Sequence, residues 1–292
     1  MTTHPPSGQS APGSSADRGG RSWPGPQRTL EAGIDFEHAN AARMYDYYLG
    51  GGANFDVDRE RANAVLAANP HVLAMARANR TYLARVVRWC QEQGIEQFLD
   101  LGSGVPTVGN VHEIAHQNNP AARVAYVDFE PVVAAHAQEL GTGRGRARPG
   151  TADSRRERDD HPRRPTRPGC GAGCTRPVAL LAAAVLHFID TDPAALLKRY
   201  REVLVPGSVI AVSHASSDHD DPQVAAHARA AAAAYTSSTT PLTLRDRHQV
   251  RALLDGLDLV SPGLVDVRDW PQPRPNALGA GGYGALAHLP QH

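Results

Sequence analysis

The chain has 292 residues, with 30 basic and 30 acidic side chains and no formal net charge. That length allows one large domain, or one domain with a cap and a tail; the charge balance excludes a nucleic-acid binder that works by bulk charge, though not a local basic patch. With 41% hydrophobic residues and a mean hydropathy of −0.40 the chain can build a soluble core, and its longest apolar run, residues 177–189, is too short to span a bilayer.

Residues 1–33 are rich in Ser, Gly, Pro and Arg and carry no apolar signal-peptide stretch, which predicts a disordered tail. Residues 34–95 predict an N-terminal helical cap. Within it a helix is expected over 71–93, where Val72, Met75, Ala76, Asn79, Leu83, Val86 and Cys90 recur at three- and four-residue steps and Gly94 closes the element. Asn79 is the odd polar member of that face. Residues 96–292 then alternate strands, at 97–100, 124–128, 178–186 and 209–213, with helices at 107–117, 132–140, 194–204, 222–235 and 243–254. Pro131, Pro193 and Pro222 stand at first-turn positions, the last two behind the caps Asp192 and Asp221. Segments 259–270 and 283–289 read as a closing antiparallel pair. Alternation around apolar strands predicts an α/β, Rossmann-like fold with a mostly parallel seven-stranded sheet.

Residues 141–176 break this grammar. They contain no Val, Ile, Leu, Met, Phe, Trp or Tyr, and Arg, Pro and Gly dominate. Lys198 is the only lysine of the chain, a sign of high-GC coding DNA, whose alternate frames yield Arg, Pro, Gly and Ala. The segment therefore reads as a pair of compensating frameshifts or as a disordered basic insert, with nothing in it to form a core strand. Cys170 and Cys174 lie there without a second Cys or His pair, so no metal site is expected. The local arginines lack interleaved aromatics, so no nucleic-acid site is expected either. Asp218, Asp220 and Asp221 beside His219 are explained by the start of a helix rather than by a metal loop. Three cysteines, with Cys90 the third, make no disulfide framework, and a reducing cytoplasm is the expected compartment.

The strongest chemical signal is Phe98-Leu99-Asp100-Leu101-Gly102-Ser103-Gly104-Val105-Pro106. A strand ends at a turn whose missing side chains let a ligand press on the backbone, and the next helix adds polar N–H groups. A second strand ends in Asp128, placed to take both ribose hydroxyls of an adenosine. The third small residue of a dinucleotide fingerprint is replaced by Thr107. Asp100, at the strand end, would repel a pyrophosphate and suits a cofactor with a positive amino-acid group. This favours S-adenosylmethionine over NAD.

With these residues the chain resembles the class I S-adenosylmethionine-dependent methyltransferases, and within them an uncharacterised branch common in high-GC bacteria. The resemblance is carried by Ala42-Arg43-Met44-Tyr45-Asp46-Tyr47-Tyr48-Leu49-Gly50-Gly51, Asn54-Phe55, Asp58-Arg59, Ala76-Arg77-Ala78-Asn79-Arg80 and the glycine turn. Later matches are Val127-Asp128, Val185-Leu186-His187-Phe188, Pro206-Gly207-Ser208 and Ser213-His214-Ala215. It covers about residues 34–140 and 177–270. It implies that Asp100, Gly102, Ser103 and Gly104 line the methionine and ribose part, that Asp128 binds the ribose and that Phe129 lies beside the adenine. Arg80 or Arg77 would pair with the methionine carboxylate, the plainer alternative being a solvated helix face. The family's third strand and its acidic adenine-binding turn are missing from 141–176, where Asp153 stands in no such context.

Two further groups are candidates for the acceptor side. Tyr45, Tyr47, Tyr48, Asn54 and Phe55 surround three glycines and read as a cap that shapes the acceptor pocket, or else as a helix end packed on the sheet. His187, at the tip of the third apolar strand, would orient an acceptor or act as general base, or else pack against a loop; His214 has the same reading with a weaker claim. The expected function is methyl transfer from S-adenosylmethionine to an O, N or C nucleophile of a small molecule. The rival functions are a non-catalytic, degenerate cofactor-binding member of the family and an NAD-dependent oxidoreductase.

Overall fold

The computed structural model describes residues 34–105, 109–128, 148–151 (backbone only), 175–219, 221–236, 238–272 and 281–290. The expected tail, the helix at 132–140, Phe129, Thr107, Asp153 and the Cys170–Cys174 pair lie outside the described residues.

Three helices come first: α1 (Ala41–Tyr48), α2 (Asp56–Ala68) and α3 (Val72–Glu92). Asn40 starts α1, its side chain accepting from the Ala42 N–H at 2.8 Å, and Gly50 ends it at φ +79°, a backbone conformation that glycine adopts without strain. Asp58 starts α2 by accepting the Phe55 N–H at 2.9 Å. The same carboxylate accepts from the Asn40 N–H and from Arg43 Nε, at 2.9 and 2.8 Å. Arg43 and Asp58 form an ion pair whose side chains are 1% and 0% exposed, and the guanidinium also donates to the His38 carbonyl. One buried carboxylate thus knots the entry of α1 to the entry of α2.

The sheet follows: β1 (Gln97–Leu101), α4 (Val111–Asn118), β2 (Arg123–Asp128), β3 (Arg148–Thr151), β4 (Ala179–Ala183), α5 (Pro193–Arg201), β5 (Val209–Ala215), α6 (Pro222–Tyr235), α7 (Arg247–Ala252), β6 (Asp258–Leu259), β7 (Val265–Asp266) and β8 (Gly282–His288). Strand order is β3-β2-β1-β4-β5-β8-β6, with β7 also on β8. The first five strands in that order run parallel, while β8 is antiparallel to β5 and to both short edge strands. Alternate residues face opposite layers. Phe98, Leu181, Ala211 and Leu286 pack under α3 and α4, and Leu99, Leu180, Ile210 and Ala287 pack under α5 and α7. Asp192 and Asp221 cap α5 and α6 ahead of Pro193 and Pro222, as expected.

The region expected as one cap over 34–95 divides by packing. Met44, Tyr48, Ala62 and Val65 of α1 and α2 cluster with Ala231 and Tyr235 of α6. Most of α3, from Ala78 to Cys90, joins the sheet core instead. Tyr82 shows why: it is fully buried and its hydroxyl lies 2.7 Å from the Ala285 carbonyl and 3.0 Å from that of Val212, pinning the helix across β5 and β8.

Several elements differ from expectation. The segment 141–176 supplies a short strand, β3, where none was expected; it pairs with β2 alone, and such an edge position tolerates Pro149, which has no N–H to give. The third apolar strand ends at Ala183, because Ala184 turns the chain at φ +55° and Leu186–Phe188 form one 3-10 turn. Helix α4 starts only at Val111, behind Asn110, and α7 only at Arg247, where Asp246 accepts from the Gln249 N–H. The partner of β8 breaks into β6 and β7 around Pro262, which cannot continue the ladder.

Candidate active site

The chain leaves β1 for β2 on one side and reaches β4 on the other, so the crevice at the carboxyl ends of β1 and β4 is the switch point where ligands of open α/β sheets bind. The glycine turn sits there. Gly102 has φ +61°, and a Cβ on it would lie 2.2 Å from Val185 Cγ2, so no larger residue fits between the turn and the loop after β4. Gly104, at φ +66°, faces open space, and its N–H donates to Asp128 Oδ2 at 2.8 Å. The tip of β2 thereby closes over the tip of β1.

Asp100 is 5% exposed. Burial pushes its carboxyl up to about 7; the neighbouring Arg80 pulls it down and Asp128 pushes it further up. Arg80 stacks its guanidinium 5.7 Å from the Tyr45 ring centroid, and its buried Nε has no hydrogen-bond partner among the described residues. Ser103 Oγ is another buried polar atom without a partner among them. At the mouth of a crevice such atoms can be satisfied by a ligand. Arg77, by contrast, is exposed, which separates the two arginines the sequence left open. The acid, the small-residue cradle and these two polar atoms fit the chemistry of the amino-acid end of S-adenosylmethionine, and Asp128 lies beside them at the tip of β2.

A cavity of about 110 Å³ adjoins this crevice, roofed by α1, α2 and α6 and floored by α3 and the ends of β4 and β5. Tyr45, Tyr48, Asn79, His187, Phe188, Ser213, His214 and Tyr235 line it, among apolar side chains. Asn79 and Arg80, adjacent on α3, serve the two compartments. The Asn79 amide donates to the Tyr45 hydroxyl at 3.0 Å, Ser213 Oγ donates to its carbonyl, and Tyr45 donates to the Ala76 carbonyl at 3.0 Å. The hydroxyl of Tyr235 lies 3.4 Å from that of Tyr48.

His187 is buried, and its Nδ1 accepts the Ala215 N–H at 3.3 Å. Burial holds its pKa well below the usual range, helped by His214 and Arg245. His214 Nδ1 lies 2.8 Å from the Ala215 carbonyl and Nε2 lies 2.8 Å from the Arg245 guanidinium. Burial pushes His214 down to about 4, its hydrogen bond to the Ala215 carbonyl opposes this, and the charge of Arg245 adds to it.

Of the expected site residues, Arg80, Asp100, Gly102, Ser103, Gly104 and Asp128 gather at the crevice, and Tyr48, His187 and His214 gather at the cavity. Asn54 does not join them: its amide donates to Asp46 and the Gly51 carbonyl and accepts from Arg59, at 2.7, 3.0 and 2.9 Å, and it is spent on holding the α1–α2 turn. His214 reaches the cavity wall with both nitrogens engaged by protein atoms. Sequence reasoning missed Tyr235, Ser213 as a partner of Asn79, and Arg245. The polar break at Asn79 was a visible signal; Arg245, in an ordinary loop, gave none.

The profile of the S-adenosyl methyltransferase family matches residues 27–288. A crystal structure of a DUF574 family protein from Streptomyces avermitilis is 33% identical, with a TM-score of 0.74, over 88% of this chain and 100% of that one. A crystallised protein from Thermobifida fusca, provisionally assigned as a methyltransferase, is 31% identical, with a TM-score of 0.77, over 93% of this chain and 100% of that one. No curated protein matches the sequence. A family match over nearly the whole chain, on a sheet of this order with this crevice, removes the oxidoreductase alternative: the chain belongs to the S-adenosyl methyltransferase family and is an S-adenosylmethionine-dependent methyltransferase of Rossmann-like fold.

Proposed function

We propose that the methyl acceptor is a small, uncharged molecule with an apolar, ring-sized body, held in the cavity between the cap helices and the ends of β4 and β5. The observation that carries this is the lining itself, which contains no Asp, Glu, Lys or Arg among the described residues. A charged acceptor would lose its hydration there without gaining a counter-charge, at a cost of several kcal/mol. The aromatic rings of Phe188, Tyr48 and Tyr235 and the small Ala76, Ala228 and Ala231 suit a flat apolar body. The volume is of the order that holds a single aromatic ring, since an engineered apolar cavity of ~150 Å³ takes up benzene.

S-adenosylmethionine supplies a methyl group already activated on a sulfonium sulfur, so the chain's own work is binding, orientation and exclusion of water. Asp100, Ser103 and Arg80 would hold the amino-acid end of the cofactor, Gly102 and Gly104 would let it approach the backbone, and Asp128 would take the ribose. On the acceptor side the cap closes over a dry pocket. No carboxylate lines that pocket among the described residues, and His187 and His214 are weak bases, so the acceptor reacts through its own lone pair and the proton it carries leaves with the product, to be lost to water once the pocket opens.

The test has two parts. Asp128→Ala should weaken S-adenosylhomocysteine binding by about 1.5–3 kcal/mol, roughly ten- to hundredfold in Kd, by calorimetry. Unchanged affinity would remove Asp128 from the cofactor site. A methyl-transfer screen by mass spectrometry should find products among neutral one-ring phenols, amines and thiols and none among phosphorylated or polycationic analogues. A preference for charged acceptors, or for RNA, would overturn the reading.

A further inference from the structure

We infer that His187, oriented by the Ala215 backbone N–H, presents a fixed Nε2–H donor to the occupant of the cavity, and that the acceptor therefore carries an oxygen or nitrogen lone pair beside the atom that is methylated. The inference rests on the cavity being the acceptor site and names what it selects.

The polarity follows from donors and acceptors alone. A guanidinium can only donate. Arg245 lies 2.8 Å from His214 Nε2, so that nitrogen accepts and the His214 proton sits on Nδ1. From there it is donated to the Ala215 carbonyl at 2.8 Å. The Ala215 backbone N–H can likewise only donate, and it donates to His187 Nδ1 at 3.3 Å. The neutral His187 ring therefore carries its proton on Nε2. Among the described residues Nε2 has no hydrogen-bond partner, and it is not among the fully enclosed polar atoms, while His187 lines the cavity. It is the donor left over for whatever enters.

Every element packed on His187 keeps it in that state. From β5, His214 lies edge-on with ring centroids 5.2 Å apart. From the loop before α7, Arg245 adds a positive charge and a bond to the Leu186 carbonyl. Phe188 covers another side at 4.4 Å. Asp192, at the start of α5, acts on Arg245. A second proton on His187 would set an N–H against the Ala215 N–H in an apolar wall. Nor is Nε2 free to take a proton from the acceptor without that same clash. A donor aimed at the reacting atom would occupy the lone pair that the transfer consumes, so the group it anchors is a neighbouring carbonyl, ether or ring nitrogen.

Two measurements on the full chain saturated with S-adenosylhomocysteine test this. Long-range ¹H–¹⁵N correlation of histidine-labelled protein should show His187 protonated at Nε2 and His214 at Nδ1; a proton on His187 Nδ1 overturns the inference. Acetophenone and isopropylbenzene, alike in shape but differing in a carbonyl lone pair, then probe the cavity by calorimetry and by shifts at His187. Acetophenone should bind roughly three- to tenfold more tightly, the worth of one hydrogen bond. His187→Phe should abolish that preference while isopropylbenzene still binds, and His187→Gln, whose amide can both accept and donate, should restore part of it. Arg245→Leu should mix the His214 tautomers yet leave the preference unchanged, since the Ala215 N–H alone orients His187; loss of the preference in that variant would overturn this orientation. Equal binding of the two probes to the native chain refutes the donor and leaves the cavity standing. Binding of neither refutes the cavity as acceptor site.

Discussion

Between pH 6 and pH 7 the affinity for S-adenosylmethionine should rise about fivefold, through a single carboxyl group. Asp100 is buried beside the glycine turn, with its carboxyl pushed up to about 7, chiefly by burial. A cofactor with a positive amino-acid end prefers the carboxylate. The ionised fraction is about one tenth at pH 6 and about one half at pH 7, and affinity follows it, a gain of about 1 kcal/mol. Above pH 7 the ligand's own amine begins to lose its proton, which acts in the opposite direction, so the rise belongs to the lower interval. Calorimetry in two buffers of different ionisation enthalpy should show close to one proton released on binding at pH 6. Asp100→Asn should bind more weakly and without the slope. The same group should mark the stability of the ligand-free chain. Its folded pKa lies above the unfolded value of 3.8, so its contribution is complete below that value and is lost as pH rises through about 7. A constant Kd from pH 6 to 7 with no proton release, or a slope that survives Asp100→Asn, would refute the argument.

Arg43→Met should cost roughly 3–5 kcal/mol in denaturant unfolding, because it leaves Asp58 charged and buried without its partner; a loss under about 1 kcal/mol would show that the pair is not the knot of the cap. Gly102→Ala should lower stability by about 1–3 kcal/mol, from the clash with Val185 and the positive φ, and should weaken cofactor binding as well. Adding Val185→Ala should return part of the stability, and no rescue would mean that strain, not the clash, dominates.

The parallel sheet was legible because its strands carry their own signal. Phe98-Leu99, Leu180-Leu181 and Ile210-Ala211 are apolar on both faces, and Asp192-Pro193 and Asp221-Pro222 mark helix starts by side-chain chemistry that needs no tertiary context. The crevice was legible for the same reason, since the glycine turn and the two strand-end acids are local. The acceptor side was harder to read. Asn54 looks like a site residue because it is polar amid aromatics, yet it is consumed by backbone and side-chain partners 3 to 8 residues away. Arg245 is the converse, an unmarked loop arginine whose partner His214 lies 31 residues away. The strand at Arg148–Thr151 needs no apolar residue because it contributes backbone to an edge, where composition is a poor guide.

Tyr45 belongs to both compartments. It stands on a cap helix, its ring lies beneath Arg80 at the cofactor crevice, and its hydroxyl takes the amide of Asn79 on the cavity floor. A side chain shared in this way makes the two occupancies a single thermodynamic quantity. Whatever factor a filled crevice adds to acceptor affinity, a filled cavity must return to the cofactor. An inhibitor fitted to the cavity alone would then tighten the hold on the spent cofactor by that same factor, and so slow its release.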